Sequence, residues 1–219
     1  MKQTNHTNRT VTIAVVLLGI VALGAGADEI GTRETESIVY LREEEKLAHD
    51  VYLALSEQWN SRVFANIARA EARHMDAMLT LVDSYGLPDP VQETGVFTNV
   101  ELQALYDELV ERGARSLEEA YRVGALVEEV DIADLARSIE ETDAEDVVFV
   151  YERLLAGSHN HLRAFVGRLE QMGVEYEPVV LTGAEIDAIL DGRPGTAAAA
   201  SARYGRGRGG AMPRGRGRS

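Results

Sequence analysis

Residues 62–85 read RVFANIARAEARHMDAMLTLVDSY, and this stretch decides the fold. Phe64, Ile67, Met75, Met78 and Val82 recur at the spacing that lines up one face of an α-helix. Glu71 stands at the centre of that apolar face, and His74 lies at its edge one turn later. A carboxylate in a buried stripe is costly unless it is paired, protonated or bound to a cation. The segment therefore predicts a long helix that carries a polar function into the core. Ser61 stands where an N-cap belongs, and Gly86 lies just past the end.

The neighbouring segments extend the pattern. Upstream, Ile38, Leu41, Ala48, Tyr52 and Leu55 predict a first helix over residues 34–58, turning at Asn60 and Ser61. So short a connection makes the two helices antiparallel neighbours. Downstream, Pro88 and Pro90 prevent the second helix from continuing. Asn99 is placed to cap a short helix over 100–112, closed by Gly113. Ser116 and Glu119 form a capping-box pattern that opens a third long helix, with the stripe Leu117, Tyr121, Ala125, Ile132, Leu135 and Ile139. Thr142 and Glu145 repeat that pattern for a fourth, whose stripe is Val147, Tyr151, Leu154, Leu162, Phe165 and Leu169. It runs to Met172 and stops at Gly173. A third box, Thr182 with Glu185, opens a last short helix to Leu190. Two helical hairpins joined by a long crossover, residues 87–115, predict an all-α antiparallel four-helix bundle.

Each long helix carries a polar side chain on its inner stripe near mid-length. Glu45 lies on the face of Leu41, Ala48 and Tyr52. Glu128 lies between Tyr121, Ala125, Ile132 and Leu135, with Asp131 at the edge three residues on. The fourth helix has Ser158 at stripe centre and His161 at the edge. Residues i and i+3 share a helix face, so Glu71 and His74 can reach one metal ion together. Iron and manganese accept carboxylate oxygen with imidazole nitrogen. Glu44 and Glu129 flank the stripes and read as solvated, while His49 and His159 point away from the inner face. Tyr52, Tyr121 and Tyr151 face inward and read first as core residues with paired hydroxyls.

Composition bounds the rest. The chain of 219 residues has a net charge of −14. Residues 1–27 carry +2 and residues 192–219 carry +7, leaving −23 on the stretch between. A domain so acidic does not bind nucleic acid by general electrostatics. With no Cys, disulfides, zinc thiolates, iron–sulfur clusters and thiol catalysis are excluded. Lys2 and Arg9 precede an apolar run, residues 11–23, and Ala25-Gly26-Ala27 follows, the pattern of a secretory signal peptide. An uncleaved anchor is the alternative, and both readings place the domain outside the cytoplasmic membrane. Residues 28–191 form the domain, monomeric or a homodimer. Residues 192–219 form an Arg/Gly-rich tail with little to bury, either solvated or an arm for an anionic partner.

These residues carry a resemblance. Glu71-Ala-Arg-His74, with Glu45 and Glu128, resembles the diiron motif of the ferritin-like superfamily, rubrerythrins in particular. Residues 43–52, 73–77 and 158–165 are more closely similar to the domain of unknown function 2202 family within it, and the similarity spans about residues 36 to 190. The resemblance implies a ferritin-like fold and a metal set of Glu45, Glu71, His74, Glu128, Asp131 and His161. It implies two iron ions, with manganese as a substitute. It further implies an oxidoreductase acting on peroxide or oxygen and drawing on an external electron donor, since a Cys-free chain cannot hold a rubredoxin-like centre. The superfamily pattern has Glu-x-x-His on both the second and fourth helices, whereas this chain has Ser158-x-x-His161. Asp131 is placed to replace the missing acid and hold a weaker second metal, with Glu128 as the residue both metals share. If it does not, the site is mononuclear or empty. A non-catalytic extracytoplasmic metal binder and a metal-free interaction module are the alternative functions.

Overall fold

A computed structural model of the chain describes residues 31–192. The expected signal segment and the Arg/Gly tail beyond Gly192 lie outside the described residues. Six helices follow one another: α1 (Thr32–Trp59), α2 (Arg62–Ser84), α3 (Val100–Gly113), α4 (Leu117–Glu141), α5 (Glu145–Gln171) and α6 (Gly183–Leu190). The described residues contain no strand. None of the described helices is long and apolar enough to cross a membrane.

The four long helices pack side by side, α1 on α2, α4 on α5, α1 on α4 and α2 on α5. Cross-contacts fix their directions. Tyr52 meets Phe64 and Arg42 bonds Met75, so α1 and α2 run oppositely. Phe165 lies against Gly124 and His161 near Glu128, so α4 and α5 do too. Tyr52 reaches Glu128, while Ser37 reaches Ser138, which makes α1 and α4 antiparallel as well. The reversal at Asn60 uses a left-handed backbone, φ 47°, which Asn tolerates better than most residues.

Several predicted caps take a different form. Ser61 occupies the N-cap position of α2, but its hydroxyl makes no capping bond and sits 3.3 Å from the Tyr121 hydroxyl. Ser116 accepts the Glu119 N–H at 3.0 Å, half of a capping box. Thr142 is not the cap of α5; Ala144 is, and Thr142 Oγ1 instead accepts the Ala144 N–H at 3.2 Å and bonds Glu34. Thr182 and Glu185 make the full reciprocal box, and Asn99 accepts from Glu101 and Leu102.

The crossover from α2 to α4 covers the outer side of α1. Glu43 accepts the backbone N–H groups of Thr98 and Asn99. Arg42 makes a two-pronged pair with Asp89, both contacts 3.1 Å. Asp50 accepts the Gly95 N–H at 2.9 Å and pairs with Lys46, whose ammonium lies 4.1 Å from the centre of the Phe97 ring. These contacts bury Arg42 through Ala48 without a break. Glu44 is therefore buried rather than solvated. Periodicity along one helix does not register what a distant segment lays across its back. Glu129 is buried for the same reason, under residues 174–181. It accepts N–H groups from Val179, Val180 and Leu181 at 3.1, 2.8 and 2.7 Å, and the Tyr176 hydroxyl.

Candidate metal centre

The interior is layered. Tyr52, Phe64, Tyr121 and Phe165 form one aromatic layer, with ring centres 5.2 to 6.5 Å apart. On the far side lie Leu41, Met78, Leu135 and Leu154, all buried. Between these apolar layers the helices bring together Glu45, Glu71, His74, Glu128, Asp131, Ser158 and His161. The register of four antiparallel contacts fixes this height, because the neighbours one turn above and below are too apolar to take its place.

Two groups of ligand atoms form within this layer. Glu45, Glu71 and His74 offer atoms all within 4.8 Å of one another, and so do Glu71, Glu128 and His161. Glu71 belongs to both, one carboxylate oxygen toward each histidine. Its Oε2 lies 2.7 Å from His74 Nδ1, and its Oε1 lies 2.7 Å from His161 Nδ1. Glu45 Oε2 is 3.2 Å from His74 Nδ1, and Glu128 Oε2 is 3.5 Å from His161 Nδ1. The two imidazole rings stack 5.4 Å apart. The residue common to both groups is thus Glu71 rather than Glu128. Asp131 joins neither group, although it is buried beside them.

Hydrogen bonding leaves this layer incomplete. Glu45 Oε1, Glu71 Oε1, Asp131 Oδ1 and His161 Nδ1 are buried without a hydrogen-bond partner. The 2.7 Å approach of Glu71 to His161 has the distance of a hydrogen bond but not its direction. Buried polar atoms are nearly always satisfied, so four orphans at one height need a common explanation. The donor set, three carboxylates and two imidazoles, fits iron or manganese. Ser158 is fully buried, donates to the Leu154 carbonyl at 2.9 Å and lies within hydrogen-bonding reach of the Asp131 carboxyl. Tyr52 donates to Glu128 Oε1 at 2.6 Å, which fixes that carboxylate from behind.

The protons follow this geometry. Burial opposes a charge on His74, but Glu45 and Glu71 outweigh it and raise its pKa to about 11. His161 rises to about 10 against burial through Glu128 and Glu71. Burial would raise Glu71, yet the two imidazoles bring it down to about 2. Glu45, where burial outweighs the contact with His74, is lifted to about 7. Asp131 rises well above the carboxylate range, through burial first and then the charges of Glu45 and Glu128. Without a cation, two imidazolium protons compensate the acids of this layer.

Gly157 was not legible as part of the site. A β-carbon there would stand 2.5 Å from His74 Nε2, so α5 has a glycine where the imidazole of α2 presses on it. The only hint in the sequence is a glycine inside an otherwise unbroken helical pattern. His159 lies away from both ligand groups, as expected from its stripe position.

Helices arranged in this way, with buried carboxylates and histidines meeting at one height, define a class of all-helical proteins with a candidate metal-binding core. The chain belongs to the family described as an uncharacterized protein domain, DUF2202, which matches residues 34–193. It is 47% identical over 163 residues to the uncharacterized protein MJ0754 of Methanocaldococcus jannaschii, covering 74% of this chain and 88% of that protein. The crystal structure of the hypothetical protein MJ0754 from Methanococcus jannaschii superposes with a TM-score of 0.73 at 44% identity. That match covers 77% of this chain and 98% of the crystallised one.

Proposed function

We propose that the four long helices form a ferritin-like bundle whose core holds a dinuclear metal centre, iron first and manganese second, acting on peroxide or oxygen. The observation that carries this reading is the position of Glu71, whose two oxygens face two separate His-containing groups. Two cations at that separation repel one another, and a shared carboxylate offsets the repulsion. Glu45 and His74 would complete one side, Glu128 and His161 the other, with Asp131 in reserve beside them. When bound, the metal pair supplies the redox chemistry, and the protein supplies position and a dry surround.

The chain's own residues then have separable tasks. Glu71 binds between the two groups. Tyr52 holds Glu128 in one rotamer through a 2.6 Å hydrogen bond. The aromatic layer excludes water from one side and the leucine layer from the other. Electrons would come from another protein or a small reductant, because a chain without Cys cannot hold a rubredoxin-like iron centre of its own. Residues 1–27 would direct the domain outside the cytoplasmic membrane. Metal analysis of the purified protein tests the site, and peroxide consumption with a supplied reductant tests the activity. Two equivalents of iron with turnover is the expected result. Bound metal without turnover would leave a metal binder, and a metal-free protein with an intact fold would leave an interaction module.

A further inference from the structure

A cavity of about 100 Å³ lies between α1, α3 and α4, beside the ligand layer. Most of its wall is aliphatic: Leu47 from α1, Leu102 and Leu105 from α3, Val127 and Val130 from α4. One part of the wall is acidic, with the carboxyls of Glu44, Asp131 and Asp134. Glu44 Oε2 and Asp131 Oδ1 are both buried and both without a hydrogen-bond partner. Neither residue belongs to the two ligand groups. The cavity thus pairs an apolar body with two buried orphan carboxyl oxygens; the Glu44 carboxyl also meets that of Asp134, and the Asp131 oxygen adjoins the candidate metal centre.

We propose that this cavity is a ligand chamber for a short aliphatic molecule ending in an O–H group. The size follows from the volume. An apolar cavity of about 150 Å³ takes benzene, so about 100 Å³ suits four or five heavy atoms. The head group follows from the acceptors. A hydroxyl both donates to an orphan carboxyl oxygen and accepts from a protonated carboxyl, whereas an ether of the same size only accepts. A carboxylate ligand brings a charge against a wall whose lining holds carboxyls but no cation, Arg137 being already paired with Asp134 from outside it. The walls give the tail its place, because aliphatic carbon gains by leaving water for them. Asp131 gives the chamber its direction, since a head group bound there lies next to Glu128 and Glu45. The chamber's standing as the substrate side of the centre rests on the metal reading; its occupancy by an alcohol does not.

The test uses the full chain, free of metal, and follows backbone amide signals by NMR during titration with 1-butanol, its isomer diethyl ether, and butanoate. The expected result is saturable shifts on α1, α3 and α4 with 1-butanol, at an affinity at least ten-fold higher than for the other two. Leu105→Trp fills the chamber from α3 and should abolish the saturable shifts while circular dichroism stays unchanged. Glu44→Leu should weaken 1-butanol at least ten-fold and diethyl ether by much less. Three outcomes overturn the proposal: shifts that do not saturate, equal binding of alcohol and ether, or 1-butanol binding that survives Leu105→Trp. Metal uptake by the same chain after iron is added separates the two readings. A protein that binds metal but not 1-butanol removes the chamber alone, and the converse removes the metal centre alone.

Discussion

Gly157 on α5 faces His74 on α2 so closely that a β-carbon would lie 2.5 Å from the imidazole Nε2. The ring is thereby held with Nδ1 toward Glu71 and Glu45 and Nε2 against helix backbone. The side chain missing at one position fixes the orientation of a candidate ligand at another.

Gly157→Ala should therefore damage the site more than the fold. Alanine improves helix propensity by about 1 kcal/mol, while overpacking costs about 1–3 kcal/mol, so the net cost to the fold is about 0–2 kcal/mol. Thermal unfolding should shift by only a few degrees, while bound metal falls at least two-fold. Unchanged metal content would show that α5 yields and that His74 needs no such support.

Metal stoichiometry should separate the ligand side chains by group. Glu71→Ala should remove both equivalents, since Glu71 is the residue common to both groups. His74→Ala should remove the metal shared with Glu45, and His161→Ala the one shared with Glu128. Asp131→Ala should remove at most one equivalent, and His159→Ala none. Elemental analysis of the five variants checks this, and equal loss in all five would mean that the helix faces are misassigned.

Acidity should act on metal binding and on stability in opposite directions. His74 and His161 are protonated at neutral pH in the metal-free site, with pKa values of about 11 and 10. Each metal must displace one of these protons, so the affinity of each site should rise up to about 10-fold per pH unit between about pH 7 and 9. For the metal-free chain, both folded-state values exceed the unfolded value of about 6.5. The stability they contribute is fully present below about pH 6.5 and lost as pH rises toward 10 and 11. Glu45, raised to about 7, adds a loss of the same sign between about 4.5 and 7. Glu71, lowered to about 2, contributes above about 4.5 and is lost on further acidification. Urea unfolding in chelator should thus find the metal-free chain most stable near pH 5, and a plateau extending to pH 10 would contradict it.

Glu129 should prove structural although it adjoins Glu128. Its buried carboxylate accepts three consecutive backbone N–H groups of a half-exposed segment. Hydrogen bonds to a charged group contribute about 1.5–3 kcal/mol each and water replaces part of that on a half-exposed segment, so Glu129→Ala should cost about 2–3 kcal/mol in all. Metal stoichiometry should be retained at low temperature, where the protein still folds. Urea midpoints and metal analysis together decide between this and a ligand role.

The sequence by itself determined the helices, because apolar spacing, prolines, glycines and Asn99 are local signals that local forces obey. It also determined which residues of each helix face inward, and so brought Glu45, Glu71, His74, Glu128, Asp131 and His161 forward together. Stripe position is a property of one helix and needs no partner. Only the tertiary structure decided which of them meet. Register between helices made Glu71 the common residue and left Asp131 against a cavity, since an offset of one turn, about 5.4 Å, exceeds the reach of any hydrogen bond. Only the tertiary structure buried Glu43, Glu44 and Glu129, because the segments that cover them arrive from some fifty residues away. Gly157 belongs with these: its missing side chain has meaning only once α2 lies against α5.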